Sequence, residues 1–274
     1  MHRSTVRALL VGLAITSLCI PCLAQRAPKP NSRGDSPAVM KSKGWNLTFS
    51  DEFSGKALNR DVWNDQYWHG RTHGPELQWY APDVFEVSKG RLRVKAEKRD
   101  AGEGDDKRPY TSGVITTLGR FSQEYGWFEI RAKFPAGKGY WPAFWLLPET
   151  KAWPPEIDVL EILGHEMNKV YMTNHWKDDA GKHQQNGGSW VGPDFGKDYH
   201  VFAVDWRPDV IIWYVDGIER YRSDRGVPSG PFYVIANLAV GGEWPGSPDA
   251  KTVLPGYMDI DYIRVYKLTV EAVR

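Results

Sequence analysis

Three carboxylic acids lie within six residues of the chain, Glu156, Asp158 and Glu161 in the sequence W-P-P-E-I-D-V-L-E-I-L-G. The residues between them are apolar and partly β-branched, a composition that favours a strand. Carboxylates in such a strand are costly to bury unless they are hydrogen-bonded or have a chemical role. Two carboxyls about 5 to 5.5 Å apart suit cleavage of a glycosidic bond with retention, one as nucleophile and one as acid. Glycoside cleavage is therefore the first hypothesis.

The geometry of a strand sets a condition on this hypothesis. Because side chains alternate faces, Glu156 and Asp158 share one face of a regular strand while Glu161 points to the other. One extra residue, in a β-bulge at Val159 and Leu160, turns the third carboxylate back to the face of the first two. We therefore predict a bulge there and three carboxylates in a row. Like charges this close would keep one group protonated near neutral pH.

The same acidic pattern also occurs on the solvated face of an ordinary edge strand. Its flanks disfavour that interpretation, because alternate positions are apolar and the aromatic run G-K-G-Y-W-P-A-F-W-L-L-P precedes it. By alternation Trp141 and Trp145 share a face, so we expect at least one of them to line the cleft of Glu156. The chain has 13 tryptophans, more than a core needs, and aromatic faces stack well on sugar rings. A sugar-binding groove is favoured.

A second aromatic and polar stretch, residues 63–80, predicts a wall of this groove. In W-N-D-Q-Y-W-H-G-R-T-H-G-P-E-L-Q-W-Y, the side chains of Arg71 and Glu76 can hydrogen-bond sugar hydroxyls. The polar, glycine-rich residues 177–197 predict a loop that overhangs the groove and helps to select the substrate.

The segments that must position these residues indicate strands. Alternating runs occupy residues 84–87, 91–97, 110–117, 121–135 and 170–176, and a hairpin occupies 200–221. Turn residues recur at roughly eight- to twelve-residue spacing, and we find no helical period. The sequence predicts an all-β fold, an antiparallel two-sheet β-sandwich of the jelly-roll kind with an open concave cleft.

Length and composition predict one large domain with terminal extensions. The chain has 274 residues, of which 41% are hydrophobic, with 27 glycines for turns. Residues 1–24 resemble a signal peptide, 25–43 a flexible leader, 44–268 the sandwich and 269–274 a tail. Both cysteines lie within the predicted signal. We therefore expect a secreted or periplasmic protein without disulfides, with no membrane attachment after cleavage.

The charge balance argues against a polyanionic partner. The net charge is +1, and loss of Arg3 and Arg7 with the signal would leave −1. We expect no nucleic-acid partner and a monomer that acts on a polysaccharide. The metalloprotease, phosphate-loop and serine-hydrolase motifs are absent from the sequence.

Taken together, these motifs resemble glycoside hydrolase family 16 over residues 45–267. The bulged subgroup of that family carries the motif E-[ILV]-D-x-x-E. The domains of its members begin with a sequence similar to W-N-L-T-F-S-D-E-F-S-G, residues 45–55 of this chain. The resemblance implies a concanavalin-like sandwich and a laminarinase-like endo-β-1,3-glucanase that acts on β-1,3- or mixed β-1,3/1,4-glucan. Glu156 would be the nucleophile, Asp158 its hydrogen-bonding assistant, and Glu161 the acid and base.

The resemblance also implies cleft residues and a structural metal. His175, Asn237 and Trp244 fall where the family places cleft side chains. No cofactor is expected for catalysis, but a structural calcium is, with the carboxylate of Asp261 and carbonyl groups near Glu52 and Gly90 as its ligands.

Two alternatives stay open at this point. The family's laminarinase-like members have Asn where this chain has Pro75, and the bulged motif also serves galactan hydrolases of the agarase and carrageenase type. A non-catalytic carbohydrate-binding sandwich is the other alternative. It would be expected to have lost one of the outer carboxylates, and all three are present.

Overall fold

The computed structural model describes residues 31–269, and nearly half of the chain forms β-strands. The predicted signal peptide, the first residues of the predicted leader and the tail beyond residue 269 lie outside the described residues. Within the described part, no helix has the length and apolar character that crossing a membrane requires.

Eighteen strands and one short helix follow one another within residues 31–269. They are α1 (Pro37–Ser42), β1 (Trp45–Asp51), β2 (Gln78–Tyr80), β3 (Phe85–Val87), β4 (Leu92–Ala96), β5 (Ala101–Glu103), β6 (Asp106–Arg108), β7 (Tyr110–Ser112), β8 (Val114–Thr116), β9 (Gly126–Lys133), β10 (Tyr140–Pro148), β11 (Glu156–Glu161), β12 (Lys169–Lys177), β13 (His183–Val191), β14 (His200–Trp206), β15 (Ile211–Val215), β16 (Ile218–Ser223), β17 (Phe232–Val240) and β18 (Gly256–Leu268).

Two antiparallel sheets form the sandwich, as predicted. The eight-stranded sheet has the order β16-β15-β14-β9-β18-β4-β3, with β1 also paired to β18. The six-stranded sheet has the order β13-β12-β11-β10-β17-β8 and contains the acidic strand near its centre. The fold is therefore the jelly roll that the sequence predicts, with one short parallel pair, β2 with β7, beside it.

The core lies between the two sheets and is built from alternate residues of their strands. Phe144 and Leu146 of β10 and Ile157 and Leu160 of β11 face it and are fully buried. Large aromatic residues such as Trp206 fill the layer from the opposite sheet. Each fully buried large apolar side chain contributes about 1.5–3 kcal/mol. This packing leaves the other face of the six-stranded sheet free to carry polar side chains.

The predicted flexible leader is wrong for the part that the structure describes. Residues 37–42 form α1, which Ser36 caps by accepting a hydrogen bond from the backbone N–H of Val39. Met40 of this helix is only 3% exposed and packs with Trp45. The prolines and charged residues of this segment are typical of a linker. Met40 nevertheless packs against the sandwich and holds the helix in place.

The predicted loop over residues 177–197 is also wrong in large part. Its centre forms β13, which pairs with β12 along nine residues, from Lys169 with Val191 to Lys177 with His183. The strand was missed because its sequence, H-Q-Q-N-G-G-S-W-V, is polar and glycine-rich. Pairing to a neighbouring strand can override that weak propensity at an edge.

Candidate active site

A β-bulge in β11 sets the direction of the three carboxylates. Asp158 pairs with Thr173 and Glu161 with Tyr171, so two residues of β11, Val159 and Leu160, lie opposite one residue of β12. The pairing of β11 with β10 shifts at the same place. The predicted bulge is confirmed, and it returns the third carboxylate to the face of the first two.

Strand pairing extends this face into a floor that crosses the six-stranded sheet. One row runs Asn237, Ala143, Glu161, Tyr171 and Ser189, from β17 to β13. A parallel row passes through Asp158, and Glu156 lies opposite His175. Because the carboxylates belong to a central strand, the floor continues on both sides of them. A chain of sugars lying across the strands would therefore cross β11 at the acids, with Glu156 and Glu161 on either side of its path.

Two connected cavities cover this floor. One, of about 460 Å³, lies over β10 and β17, and the other, of about 770 Å³, lies over β12 and β13. The side chains common to both cavities are Trp141, Glu156, Asp158 and Glu161. The carboxylates therefore lie where the two halves of an open cleft meet, which is the arrangement that an enzyme cutting within a polymer needs.

Hydrogen bonds hold the two outer carboxylates in place. The indole of Trp153 donates to Glu156 Oε2 over 2.9 Å, and the indole of Trp141 donates to Glu161 Oε1 over 3.0 Å. Asp158 is 3% exposed, and its backbone carbonyl accepts from the indole of Trp213 across the core. Tryptophan N–H groups thus fix the strand and both of its outer acids.

Burial and mutual repulsion raise the pKa values of all three acids. For Glu156 the pKa is raised well above its usual value, first by burial and then by the charge of Asp158. For Asp158 the causes are burial and the charge of Glu161. For Glu161 burial and the charge of Glu156 raise the pKa to about 8. The expectation of a shared proton near neutral pH therefore agrees with the geometry.

His175 lies within the group of acids, as the resemblance implies. Its Nε2 atom lies 3.1 Å from Asp158 Oδ2 and 3.6 Å from Glu156 Oε1. Burial lowers the pKa of this imidazole, which favours its neutral form. A neutral imidazole can donate one hydrogen bond to a carboxylate without adding a charge to the site.

The wall over β17 contains a buried chain of hydrogen bonds. Trp145 donates to the side-chain oxygen of Asn237 over 2.8 Å, Asn237 donates to the hydroxyl of Tyr80, and Tyr80 donates to Glu76. The side chain of Gln78 also donates to Glu76. Burial raises the pKa of Glu76 to about 7. Trp145, Asn237 and Glu76 therefore line the cleft, as the sequence predicts. Hydrogen bonds through Tyr80 connect the three side chains to one another.

The other half of the cleft is more polar. It is lined by Thr173 and His175 of β12, by the amides and glycines of β13, and by Trp244. The ring of Trp244 packs edge-on against Trp141 and Tyr171, with centroids 5.5 Å and 4.7 Å away. Trp141, His175 and Trp244 therefore lie in the cleft, where the sequence places them.

Arg71 does not have the role that the sequence predicts. Its guanidinium donates to the carbonyl groups of Asp65 and Tyr80 and forms an ion pair with the Asp65 carboxylate. It lines neither half of the cleft. Arg71 braces the residue 63–80 wall, because a long donor side chain in a loop is first used to satisfy backbone carbonyls.

Several cleft residues were not singled out from the sequence. Trp153 binds Glu156, and Tyr67, His69 and His73 form an aromatic group against Trp145. The density of aromatic residues in the 63–80 stretch was a sufficient signal for the second group. Trp153 had a weaker signal, since its contact depends on how the loop before β11 folds back.

The residues of the expected calcium site lie on the eight-stranded sheet, away from the cleft. Glu52 follows β1, Gly90 lies in the β3–β4 turn and Asp261 is in β18. The carboxylate of Asp261 pairs with Arg131 over 2.7 Å, and that of Glu52 pairs with Arg264. A calcium ion would have to share Asp261 with a guanidinium, and the calcium site stays a prediction.

A jelly-roll sandwich whose open cleft holds paired carboxylates between sugar-sized cavities is the structure of a glycoside hydrolase. The model of glycosyl hydrolases family 16 matches residues 74–264. The chain belongs to glycosyl hydrolase family 16.

The chain is similar to characterised proteins along most of its length. It is 37% identical to a β-glucanase of Rhodothermus marinus, over 83% of this chain and 87% of that protein. It is 36% identical to a keratan-sulfate endo-1,4-β-galactosidase of Sphingobacterium multivorum, over 97% of this chain and 68% of that protein.

The similarity extends to solved structures. The laminarinase catalytic domain of Thermotoga maritima MSB8 superposes with a TM-score of 0.74 at 37% identity, over 81% of this chain and 98% of that one. The chain spans only 51% of the length of two curated relatives that it matches and 38% of a third.

Proposed function

We propose that this protein is an endo-β-1,3-glucanase that cleaves its substrate with retention of configuration. The observation that carries the proposal is the bulge in β11, which puts Glu156 and Glu161 on one face in the centre of an open cleft. An open cleft admits a polymer along its length, and two carboxylates on one face of the same strand, with Asp158 between them, can act on one glycosidic bond by a double displacement.

In the first step Glu156 attacks the anomeric carbon and Glu161 protonates the leaving oxygen. The indole N–H of Trp153 donates to Glu156 and favours its ionised form, whereas burial and the charge of Asp158 raise the pKa of Glu156 overall. Glu161 accepts from Trp141, and its raised pKa of about 8 keeps it protonated at neutral pH. In this proposal the proton that the crowded acids share lies on Glu161 before the reaction and leaves Glu156 free to attack.

In the second step the covalent glycosyl-enzyme is hydrolysed. Glu161, now ionised, takes a proton from water, and the oxygen of that water attacks the anomeric carbon and releases Glu156. Asp158 shares a hydrogen bond with Glu156. Its proposed role is to adjust the charge of the nucleophile as the covalent bond forms and breaks.

The substrate class follows from the relatives and from the cleft wall. The laminarinase and β-glucanase relatives support a β-1,3- or mixed-linked glucan. Trp141, Trp145 and Trp153 line the cleft around the acids, and aromatic side chains can stack on glucose rings.

A galactan is the second candidate substrate. Two observations favour it, the similarity to a keratan-sulfate endo-1,4-β-galactosidase over 97% of the chain and the Pro75 that stands where laminarinase-like members have Asn. Pro75 is exposed between His73 and Glu76, and both of these neighbours line the cleft.

The test combines variants with a substrate panel. Glu156→Gln and Glu161→Gln each abolish hydrolysis and leave polysaccharide binding, because each keeps the shape of the side chain. Reducing ends are measured on laminarin, lichenan, agarose, κ-carrageenan and keratan sulfate. Hydrolysis of a galactan without hydrolysis of laminarin would replace the glucan by the second candidate, and full activity of either variant would reject the roles of the two acids.

We also propose that the protein is exported. The support is the sequence of residues 1–24, with Arg3 and Arg7 before an apolar run and a small residue, Ala24, at its end. N-terminal sequencing of protein recovered outside the cytoplasm tests this, with Gln25 as the expected first residue.

A further inference from the structure

Two histidines lie side by side at the edge of the acidic group, and His183 is the outer one. The Nδ1 atom of His175 lies 3.0 Å from Nε2 of His183, while Nε2 of His175 lies 3.1 Å from Asp158 Oδ2. The two rings are nearly parallel, with 18° between their planes and 5.2 Å between centroids. A continuous line of polar atoms therefore runs from the buried Asp158 to the exposed His183.

The fold places His183 there through the edge strand. His183 is the first residue of β13 and pairs with Lys177, while His175 pairs with Gln185, so the two histidines are diagonal neighbours on one face. The turn before β13 is held by Asp178, whose carboxylate accepts from the backbone N–H groups of Ala180 and Lys182.

The contact between the rings restricts where the protons lie. A contact of 3.0 Å between two ring nitrogens needs one donor and one acceptor. A neutral imidazole has a single N–H. If His183 donates from Nε2, Nδ1 of His175 accepts, and the proton of His175 must be on Nε2, where it faces Asp158. Without His183 only Asp158 constrains the tautomer, and because the pKa of Asp158 is raised, its carboxyl group can either accept from Nε2 or donate to it.

His183 also covers the residue that holds the outer acid. Its ring lies 4.9 Å from that of Trp153, whose indole N–H binds Glu156. The titratable groups that face the histidine pair are Glu156 and Asp158 of β11 and Lys177, opposite His183 on β12.

We propose that His183 is a positioning residue of the active site, which donates to His175 and so holds the tautomer of His175 that donates to Asp158. The inference rests on the proposed function, because the acids that His183 orients are those of the proposed reaction. His183 contacts neither the reacting atoms nor the three acids, and it acts through His175 and Trp153.

The tautomer is measured directly in the full chain by ¹⁵N NMR of labelled histidines, without substrate. In the unmodified protein His175 carries its proton on Nε2, and in His183→Ala the signals shift toward a mixture of both tautomers. His183→Gln keeps the Nε2 tautomer, because its amide N–H still donates to Nδ1. His165→Gln is the matched control, since His165 lies in the exposed loop after β11, and it leaves the His175 signals unchanged.

Kinetics supply the second readout. Loss of one neutral hydrogen bond predicts a roughly three- to ten-fold lower kcat for His183→Ala, with KM within about two-fold, and near-complete recovery in His183→Gln. The proposal is overturned if His175 carries its proton on Nδ1 in the unmodified protein, if the alanine variant keeps both tautomer and kcat, or if the glutamine variant is equally impaired. A chain with the expected tautomer and no glucan hydrolysis would instead reject the proposed function.

Discussion

We expect the hydrogen bond from Trp141 to Glu161 to set the pH at which activity is lost on the alkaline side. This bond lowers the pKa of Glu161, while burial and the charge of Glu156 raise it, to about 8. As the proposed general acid, Glu161 must carry a proton, so we expect kcat/KM to fall as pH rises through about 8. Trp141→Phe keeps an aromatic ring in the cleft but removes the N–H that stabilises the ionised carboxylate, so the pKa rises.

The expected size of this shift follows from the strength of the bond. A hydrogen bond to an ionised group contributes about 1.5–3 kcal/mol, and about 1.4 kcal/mol corresponds to one pKa unit. The alkaline limb of the pH profile, where kcat/KM falls with rising pH, therefore moves to a pH that is higher by about one unit or more. The assay is kcat/KM for laminarin between about pH 5 and about pH 10, in which the position of the limb is the readout and not the height of the curve.

The control for this prediction is Trp244→Phe. The ring of Trp244 packs against Trp141 and Tyr171 and lines the same cleft, but its N–H donates to none of the three acids. We expect Trp244→Phe to change KM and to leave the alkaline limb in place. An unmoved or lowered limb in Trp141→Phe would refute the assignment of Glu161 as the acid that this tryptophan tunes.

Three further changes test the scaffold. Deletion of Val159 removes the bulge but leaves the regular alternation E-I-D-L-E, in which Glu161 still faces the cleft, so hydrolysis is reduced yet detectable while urea unfolding shows a loss of about 1.5–3 kcal/mol for the missing buried side chain. Arg71→Ala lowers the unfolding free energy by about 1–3 kcal/mol while KM changes less than about two-fold, since its donors brace a loop and do not reach the cleft. A chain of residues 44–274 unfolds with about 2 kcal/mol less stability than one of residues 31–274, because it lacks the packing of α1.

The sequence was most informative where one face of a strand had to satisfy a chemical condition. The spacing of Glu156, Asp158 and Glu161 required an extra residue if all three were to share a face, and the structure has it at Val159 and Leu160. The alternation of apolar residues predicted the sandwich for the same reason, because a half-buried strand must keep one face apolar.

The sequence was less informative where long-range pairing decided the structure. Strand β13 has little intrinsic preference for its conformation and depends on β12 for its register, so its residues looked like a loop. Arg71 has donors that suit a sugar equally well, and only the fold shows that Asp65 and Tyr80 use them. Met40, in the predicted leader, likewise packs against Tyr266, which lies far away in the sequence.

The stereochemistry of the first product tests the central claim most directly. Time-resolved ¹H NMR of laminarin hydrolysis shows which anomer forms at the new reducing end before mutarotation. A double displacement through Glu156 and Glu161, held on one face by the bulge, predicts that the β-anomer appears first. Initial formation of the α-anomer would contradict it, because a single displacement with inversion needs a water between two acids that are farther apart.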